Sequence, residues 1–301
     1  MLLQSSVDGK RLIYQSDRHR DGIYLAELRS GSTEPNVRPL MVDDWFNYPR
    51  DWTQDSKSLI FESLRDAKRV ILRKTIGTEL AEVLVSGSEN YRWPALTPNG
   101  DRLLFTVSPT ADVADPSKRL MTMAKDGGAR FPLLAGFYTY HCGHTASSGC
   151  VVAEVEGPQL VFSVLDPEKG KGAEIQRLDT DPNRDWSLSP DGTRIAICDE
   201  NWIRVVTVAD HKVESLPHRG NWTGAERVTW AADSKHLFAT AWSDHYSQAI
   251  LSIDPSGKVD VLNEITEGSG WLEDLRASPD GHYLAFTNRI FERNVVMLEN
   301  F

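Results

Sequence analysis

Short runs in which apolar and polar residues alternate recur along the whole chain, and each ends in a cluster of Asp, Asn, Ser, Gly or Pro. Period-two alternation rich in β-branched and aromatic residues predicts half-buried strands, and the clusters between them predict turns. Amphipathic periodicity of the helical kind, sustained over about ten residues or more, is essentially absent, so the pattern predicts an all-β chain.

The runs repeat as a unit. Seven copies of a strand–turn–strand segment read SSVDGKRLIY, WTQDSKSLIF, LTPNGDRLLF, TASSGCVVAE, LSPDGTRIAI, WAADSKHLFA and ASPDGHYLAF. Their turn residues are Asp8, Asp55, Asn99, Ser148, Asp191, Asp233 and Asp280, at intervals of 47, 44, 49, 43, 42 and 47. Asp-Gly, Asn-Gly and Asp-Ser suit a tight hairpin because they tolerate positive φ and bond the local backbone. A third strand follows most copies (22–28, 70–74, 203–208, 249–253, 294–298), and a fourth closes the unit, as at 259–262. Four antiparallel strands at this period are the mark of a propeller blade, because each small sheet buries its faces only against its neighbours.

Seven copies predict a seven-bladed β-propeller of four-stranded antiparallel blades in one domain, 1–301. The blades fall near 1–40, 41–86, 87–134, 135–179, 180–217, 218–264 and 265–301. Six blades is the alternative, and the degenerate fourth copy, TASSGCVVAE, is the one to discard. The last copy supplies three strands and no outermost one. That points to a three-stranded blade, or to closure by a segment upstream of this chain.

The turns LSPDGTRIAI and ASPDGHYLAF resemble those of TolB-type propellers, a family of WD-like repeats, and the resemblance runs through nearly the whole chain. The ending NVVMLENF and the segment VVAEVEGPQLVFSVLDPEKGKGAEI resemble the C-terminal propellers of bacterial serine/threonine kinases and winged-helix regulators. These resemblances imply a binding, sensor or scaffold module, with an N-terminal effector domain outside this chain. They carry no activity over, since one fold serves many functions, and the chain has no Gly-rich phosphate loop, H-R-D or D-F-G motif.

Alignment on the turns yields a candidate site. Apolar side chains three or five residues before the turn, among them Trp52, Leu96, Trp186, Leu188, Val228, Trp230 and Leu275, should wedge between blades. Seven residues before it, at the mouth of the channel, stand Tyr48, Arg92, His141, Arg184, Glu226 and Glu273, a polar ring able to orient a polar ligand or peptide. Loops entering the same strands carry Trp45, Phe46, Tyr91, Trp93, Phe137, Tyr138, Tyr140, Trp222 and Trp271. Rigid aromatic rings anchor partners at small entropic cost. The expected binding residues are therefore Arg92, His141, Arg184, Glu226 and Glu273, with Trp45, Tyr91 and Trp271 as anchors, while Trp93 reads as packing. Loop 109–117 is long and polar and is expected to be mobile.

Charge narrows the partners. Lys plus Arg number 33 against 43 Asp plus Glu, a net charge of −10, which repels a phosphate backbone and argues against nucleic acid. A protein or peptide partner, or a small polar ligand, remains. The first residues, MLLQSSVDGKRLIYQS, lack a leader's basic and apolar parts, and no long apolar window exists, so membrane insertion is not expected. The expected compartment is the cytoplasm, or the periplasm for a chain exported within a larger protein.

Catalytic motifs are scarce. His141-Cys142-Gly143-His144 has zinc-ligand residue types, but on a strand this spacing sends the two imidazoles to opposite faces, and His218 or His245 are only nominal further ligands. Cys142 and Cys150 do not stand directly opposed in the hairpin as aligned, so reduced thiols are expected. The run Asp179, Asp181, Asn183, Asp185 opens like a calcium loop, yet Arg184 and Pro190 occupy its two most restrictive positions, and an inter-blade turn is the better reading. No metal or cofactor is expected. The function read from the sequence is thus a non-enzymatic binding, sensor or scaffold module. The alternative is a propeller enzyme, a polysaccharide lyase or metal-assisted hydrolase, with a His-centred channel site.

Overall fold

The computed structural model describes residues 3–6, 8, 10–28, 35–110, 115–136, 138–199, 202–217, 220–245, 247–266 and 270–299, with the backbone alone at 16–19 and 291–293. Its regular elements are all β-strands, so no helix of the described residues could cross a membrane. Five consecutive four-stranded antiparallel sheets run along the chain. Blade one comprises Phe46–Trp52, Ser58–Arg65, Lys68–Thr75 and Glu82–Val85; blade two Asn90–Leu96, Arg102–Ser108, Arg119–Ala124 and Phe131–Ala135. Blade three comprises Thr139–Cys142, Cys150–Glu156, Gln159–Asp166 and Gly170–Asp179; blade four Trp186–Leu188, Arg194–Cys198, Ile203–Thr207 and Val213–Ser215. Blade five comprises Trp222–Trp230, Leu237–Ser243, Gln248–Ile253 and Val259–Ile265.

The sixth sheet joins the two ends of the chain. Gly270–Ala277 and Tyr283–Glu299 form its inner pair, and Arg11–Glu27 then Asn36–Asp43 complete it, with Leu3–Ser5 on the far half of Arg11–Glu27. The innermost strands of neighbouring blades touch in cyclic order, and the strand of blade six returns to that of blade one. The expected four-stranded antiparallel blades and propeller class are therefore present, with the seven turn copies distributed over six sheets. The ring takes the six-bladed alternative because the first and seventh repeats are halves of one blade: the outer strands that the seventh copy lacks come from the first. The blade expected at 1–40 does not stand alone, and closure needs no upstream segment. The fourth copy is also not the one to discard, since Cys150–Glu156 is the second strand of blade three.

The turns are built as their residues require. In LSPDG, Ser189 Oγ donates to Asp191 Oδ1 at 2.6 Å, the Thr193 amide donates to the same oxygen at 3.0 Å, and Gly192 takes φ 74°. In the Asp-Ser copies, Ser56 and Ser234 occupy the same left-handed position at φ 57° and 56°. Glycine would fit there with less strain, but these hydroxyls also accept amides from the turn of the preceding blade: Asp280 N–H to Ser56 Oγ at 3.0 Å, and Asp191 N–H to Ser234 Oγ at 3.2 Å. Serine thus fastens a seam that glycine would leave open.

The expected wedge residues Trp52, Leu96, Trp186, Leu188, Val228, Trp230 and Leu275 are all buried. Three of the indoles also donate backward across a seam, Trp52 Nε1 to Arg276 O at 3.0 Å, Trp186 Nε1 to Thr139 Oγ1 at 2.9 Å and Trp230 Nε1 to Ser187 O at 3.1 Å.

Cys142 and Cys150 correct the thiol expectation. They are directly opposed in the register of the first hairpin of blade three, with Cα atoms 3.9 Å apart, and they form a disulfide; Cys198 is free and buried. The offset had been counted from the turn without the ladder that the strands adopt. In denaturant without reductant, a thiol-reactive dye should label one cysteine per chain, rising to three after reduction. Three labelled cysteines before reduction would exclude the disulfide.

Candidate functional site

The innermost strand of every blade is a sheet edge, so one row of its backbone groups faces the channel or the next blade with no strand to bond. The register also slips there. Bulges fall between Pro49 and Asp51, Arg92 and Ala95, Ala225 and Arg227, and Glu273 and Arg276, and Trp93 and Asp274 take the left-handed φ of 50° and 56°. A bulge adds a residue to one strand and re-aims the side chains around it.

Side chains of the preceding blade take up the unpaired amides. Asp51 Oδ2 accepts the Leu96 amide at 2.6 Å, Glu62 Oε2 the Trp93 amide at 3.1 Å, Asp185 Oδ2 the Val228 amide at 2.9 Å and Gln248 Oε1 the Leu272 amide at 2.7 Å. Arg-Asp-Trp occurs twice, at 50–52 and 184–186, and does the same work both times: the Asp reaches forward to the next blade and the Trp donates back to the previous one.

Buried carboxylates draw in guanidiniums. Glu62, 1% exposed, pairs with Arg69 and, at 3.4 Å, with Arg50, which also bonds Asp274 Oδ1 at 2.7 Å. Tyr48 lies between the two, its ring 5.3 Å from the Arg50 guanidinium and 5.2 Å from that of Arg69. Within blade six Arg289 grips Asp21, its opposite number in the ladder, through two nitrogens, and it lies over the rings of Phe46 and Trp271 at 5.5 and 5.7 Å.

Beside this network the channel opens into a cavity of about 390 Å³. Its lining combines the apolar or aromatic Trp93, Tyr140, Trp186, Val155 and Leu160 with the charged or polar Arg50, Arg184, Arg227, Arg276, Asp185, Asp274 and His141. The Tyr140 hydroxyl donates to the Trp93 carbonyl and ties these two together. The His141 ring meets Trp186 edge-on at 4.5 Å. Burial, reinforced by Arg276, His144 and Arg50, lowers its pKa to about 3. Burial raises the Asp185 carboxyl against the pull of Arg227, and likewise the Asp51 carboxyl against that of His144, whose Nε2 is 3.5 Å away.

The ring expected seven residues before the turn is only partly assembled. His141 and Arg184 line the cavity. Arg92, 4% exposed, is instead buried beside the ring of Trp93, with burial lowering its pKa. Glu226 is exposed and accepts from Gln248 Nε2 at 3.1 Å, and half-buried Glu273 lies 3.8 Å from Arg289. The bulges are the reason: they move the inward positions to Arg50, Arg227, Asp274 and Arg276, which an unbroken count misses. Charged residues inside otherwise apolar inner strands were the signal available. Of the aromatic anchors, Trp45 and Trp271 are exposed, at 36% and 42%, outside the cavity wall, whereas Tyr91 is 4% exposed and packed on Phe105, where it offers no free ring. Trp93, read as packing, is part of the cavity wall.

Among the described residues, no three His, Cys, Asp or Glu side chains stand together as a metal set. His245 is exposed beside Asp244, and His218, Phe137 and 111–114 of the long loop lie outside the described residues. The 179–185 run forms the expected turn, with the Asn183 amide on Asp181 Oδ1 at 2.9 Å.

No protein-family model matches the sequence, and no curated protein matches it either. Solved structures do. A TolB-type protein of Agrobacterium tumefaciens superposes with a TM-score of 0.69 at 15% identity over 91% of this chain and 99% of that one. A propeller from a nidogen/laminin complex gives 0.60 at 10% identity over 82% and 93%. Oligogalacturonate lyase of Vibrio parahaemolyticus gives 0.55 at 12% identity over 90% and 77%. At these identities the likeness shows the fold, a TolB-like β-propeller.

The imidazole of His141 yields a pH prediction. Unfolded, it protonates near its ordinary value of about 6.5; folded, near about 3. Between these values the unfolded chain binds the extra proton, so the stability that His141 contributes is full above pH 6.5 and lost as the pH falls toward 3. Urea midpoints of wild type should fall more steeply across this window than those of His141→Gln. Parallel profiles would show that His141 is not held neutral.

Proposed function

We propose that this propeller is a binding module that takes a small polar ligand, or the end of a peptide or protein, into the cavity at the mouth of its channel. The observation that carries the reading is the lining of that cavity, indole and phenol rings together with several guanidiniums, around a volume of about 390 Å³. Ligand pockets typically measure about 300–1,000 Å³ and combine an apolar lining with a few polar groups that fix orientation. His141, the centre of the enzyme alternative, is a poor general base because its pKa of about 3 lies far from neutrality. The binding role of Arg184 and His141 belongs to this proposal, as does that of Trp45 and Trp271 as an outer contact surface for a larger partner. So does the sensor or scaffold role within a larger protein. The Cys142–Cys150 disulfide favours an oxidising compartment, the periplasm rather than the cytoplasm, since such bonds persist there.

A thermal-shift screen of peptides, sugars, organic acids and metal salts tests the proposal, because a compound that binds only the folded state raises its apparent stability. Arg184 is partly exposed and has no carboxylate nearer than Asp181 at 3.8 Å, so Arg184→Ala should leave the ligand-free melting temperature within a degree or so and remove most of the shift. A shift that survives Arg184→Ala and disappears in Trp271→Ala would relocate binding to the outer rim. A metal-dependent shift abolished by His141→Gln would favour the enzyme instead.

A further inference from the structure

The cations of the cavity are not alike. Arg50 is neutralised by Asp274 and Glu62, and Arg184 has Asp181. Arg227 and Arg276 have no carboxylate within ion-pair distance among the described residues. Arg227 donates to the Glu226 carbonyl at 3.1 Å, and Arg276 to the carbonyls of Arg50 and Leu275 at 2.6 Å each. Both line the cavity, with Asp185 and Asp274 the acids on its wall. Those acids are engaged, Asp274 with Arg50 and Asp185 with the Val228 amide. Of the four guanidiniums lining the cavity, those of Arg50 and Arg184 are therefore paired with carboxylates, and those of Arg227 and Arg276 are bonded to carbonyls.

A guanidinium set deep in a protein and bonded only to neutral carbonyls is incompletely compensated, because burial strips its hydration without supplying a counter-charge. Burial and the neighbouring Arg50 push the Arg276 pKa down, whereas Asp185, Asp274, Glu273 and Glu226 hold that of Arg227 up against its burial, so Arg276 is the less compensated of the two. Guanidinium forks match the planar or tetrahedral oxygens of carboxylate and phosphate groups. The rings of Trp93, Tyr140 and Trp186 in the same lining suit a flat or ring-shaped body.

We infer that the cavity selects small organic oxyanions, seating a carboxylate or phosphate against Arg227 and Arg276 and stacking the attached ring on the indoles. This rests on the mouth being the binding site and names what it binds. The anion supplies the directly bonded oxygens that neither guanidinium receives from a carboxylate among the described residues.

Calorimetric titration with matched pairs tests it: benzoate against benzamide, glucuronate against glucose, and phenyl phosphate against phenol. An acid should bind about tenfold or more tightly than its neutral partner, the scale of a hydrogen bond to a charged group. The carboxylate and phosphate arms then show which oxyanion is preferred. Arg227→Gln should remove most of that preference. Arg227→Lys keeps the charge without the fork, and should retain part of the preference even where the glutamine variant folds poorly. Neutral compounds binding as tightly as acids, or acid binding untouched in both Arg227 variants, would overturn the inference and leave the mouth as the site. Failure of every compound to bind would overturn the reading of the mouth as well.

Discussion

The fold depends on how the inner edge of each blade satisfies its backbone. A propeller turns one edge of every sheet toward its axis, where a neighbouring strand cannot pair with it and bulk water is scarce. Unbonded amides there would cost about 1–3 kcal/mol each. This ring meets the constraint with side chains from the blade before: Asp51 and Glu62 serve blade two, Asp185 serves blade five and Gln248 serves blade six. The seams into blades two, five and six are therefore polar toward the channel, while apolar wedges such as Trp52, Leu96 and Trp230 fill the gaps between sheets.

The electrostatics of the mouth follow from that arrangement. Carboxylates placed to accept amides are themselves buried, and burial of an ionised carboxylate is tolerable only beside a cation. Arg50 and Arg69 meet Glu62 for this reason, and Arg289 meets Asp21. Arg227 and Arg276 answer the field of buried Asp185 and Asp274 without direct contact, their own hydrogen bonds going to carbonyls. The proposed anion site rests on these two guanidiniums.

Legibility in the sequence stopped where local rules gave way to the ring. Turn chemistry at Asp191 and Asp280 was plain, because Ser-Pro-Asp-Gly specifies its own hydrogen bonds. Blade count was not, since the DGKRLIY copy looks like any other and only pairing between Arg11–Glu27 and Tyr283–Glu299 shows that it completes the seventh repeat. The polar ring was partly misplaced because a count of residues back from the turn assumes unbroken alternation, and the bulges at Arg92/Ala95 and Glu273/Arg276 break it. His141 was found because the strand of blade three has no register shift against its partner. The second Arg-Asp-Trp was a usable clue to the seams, hidden because the two copies stand at different distances from their turns.

The claim that buried carboxylates hold the seams is tested most directly by chemical denaturation of Glu62→Gln near neutral pH. Glu62 accepts the Trp93 amide and pairs with Arg50 and Arg69, so its neutral isostere leaves two guanidiniums without their shared counter-charge. The account predicts a loss of about 3–5 kcal/mol, the range for breaking a buried ion pair from one side. A loss below about 1 kcal/mol, the scale of an exposed ion pair, would contradict it.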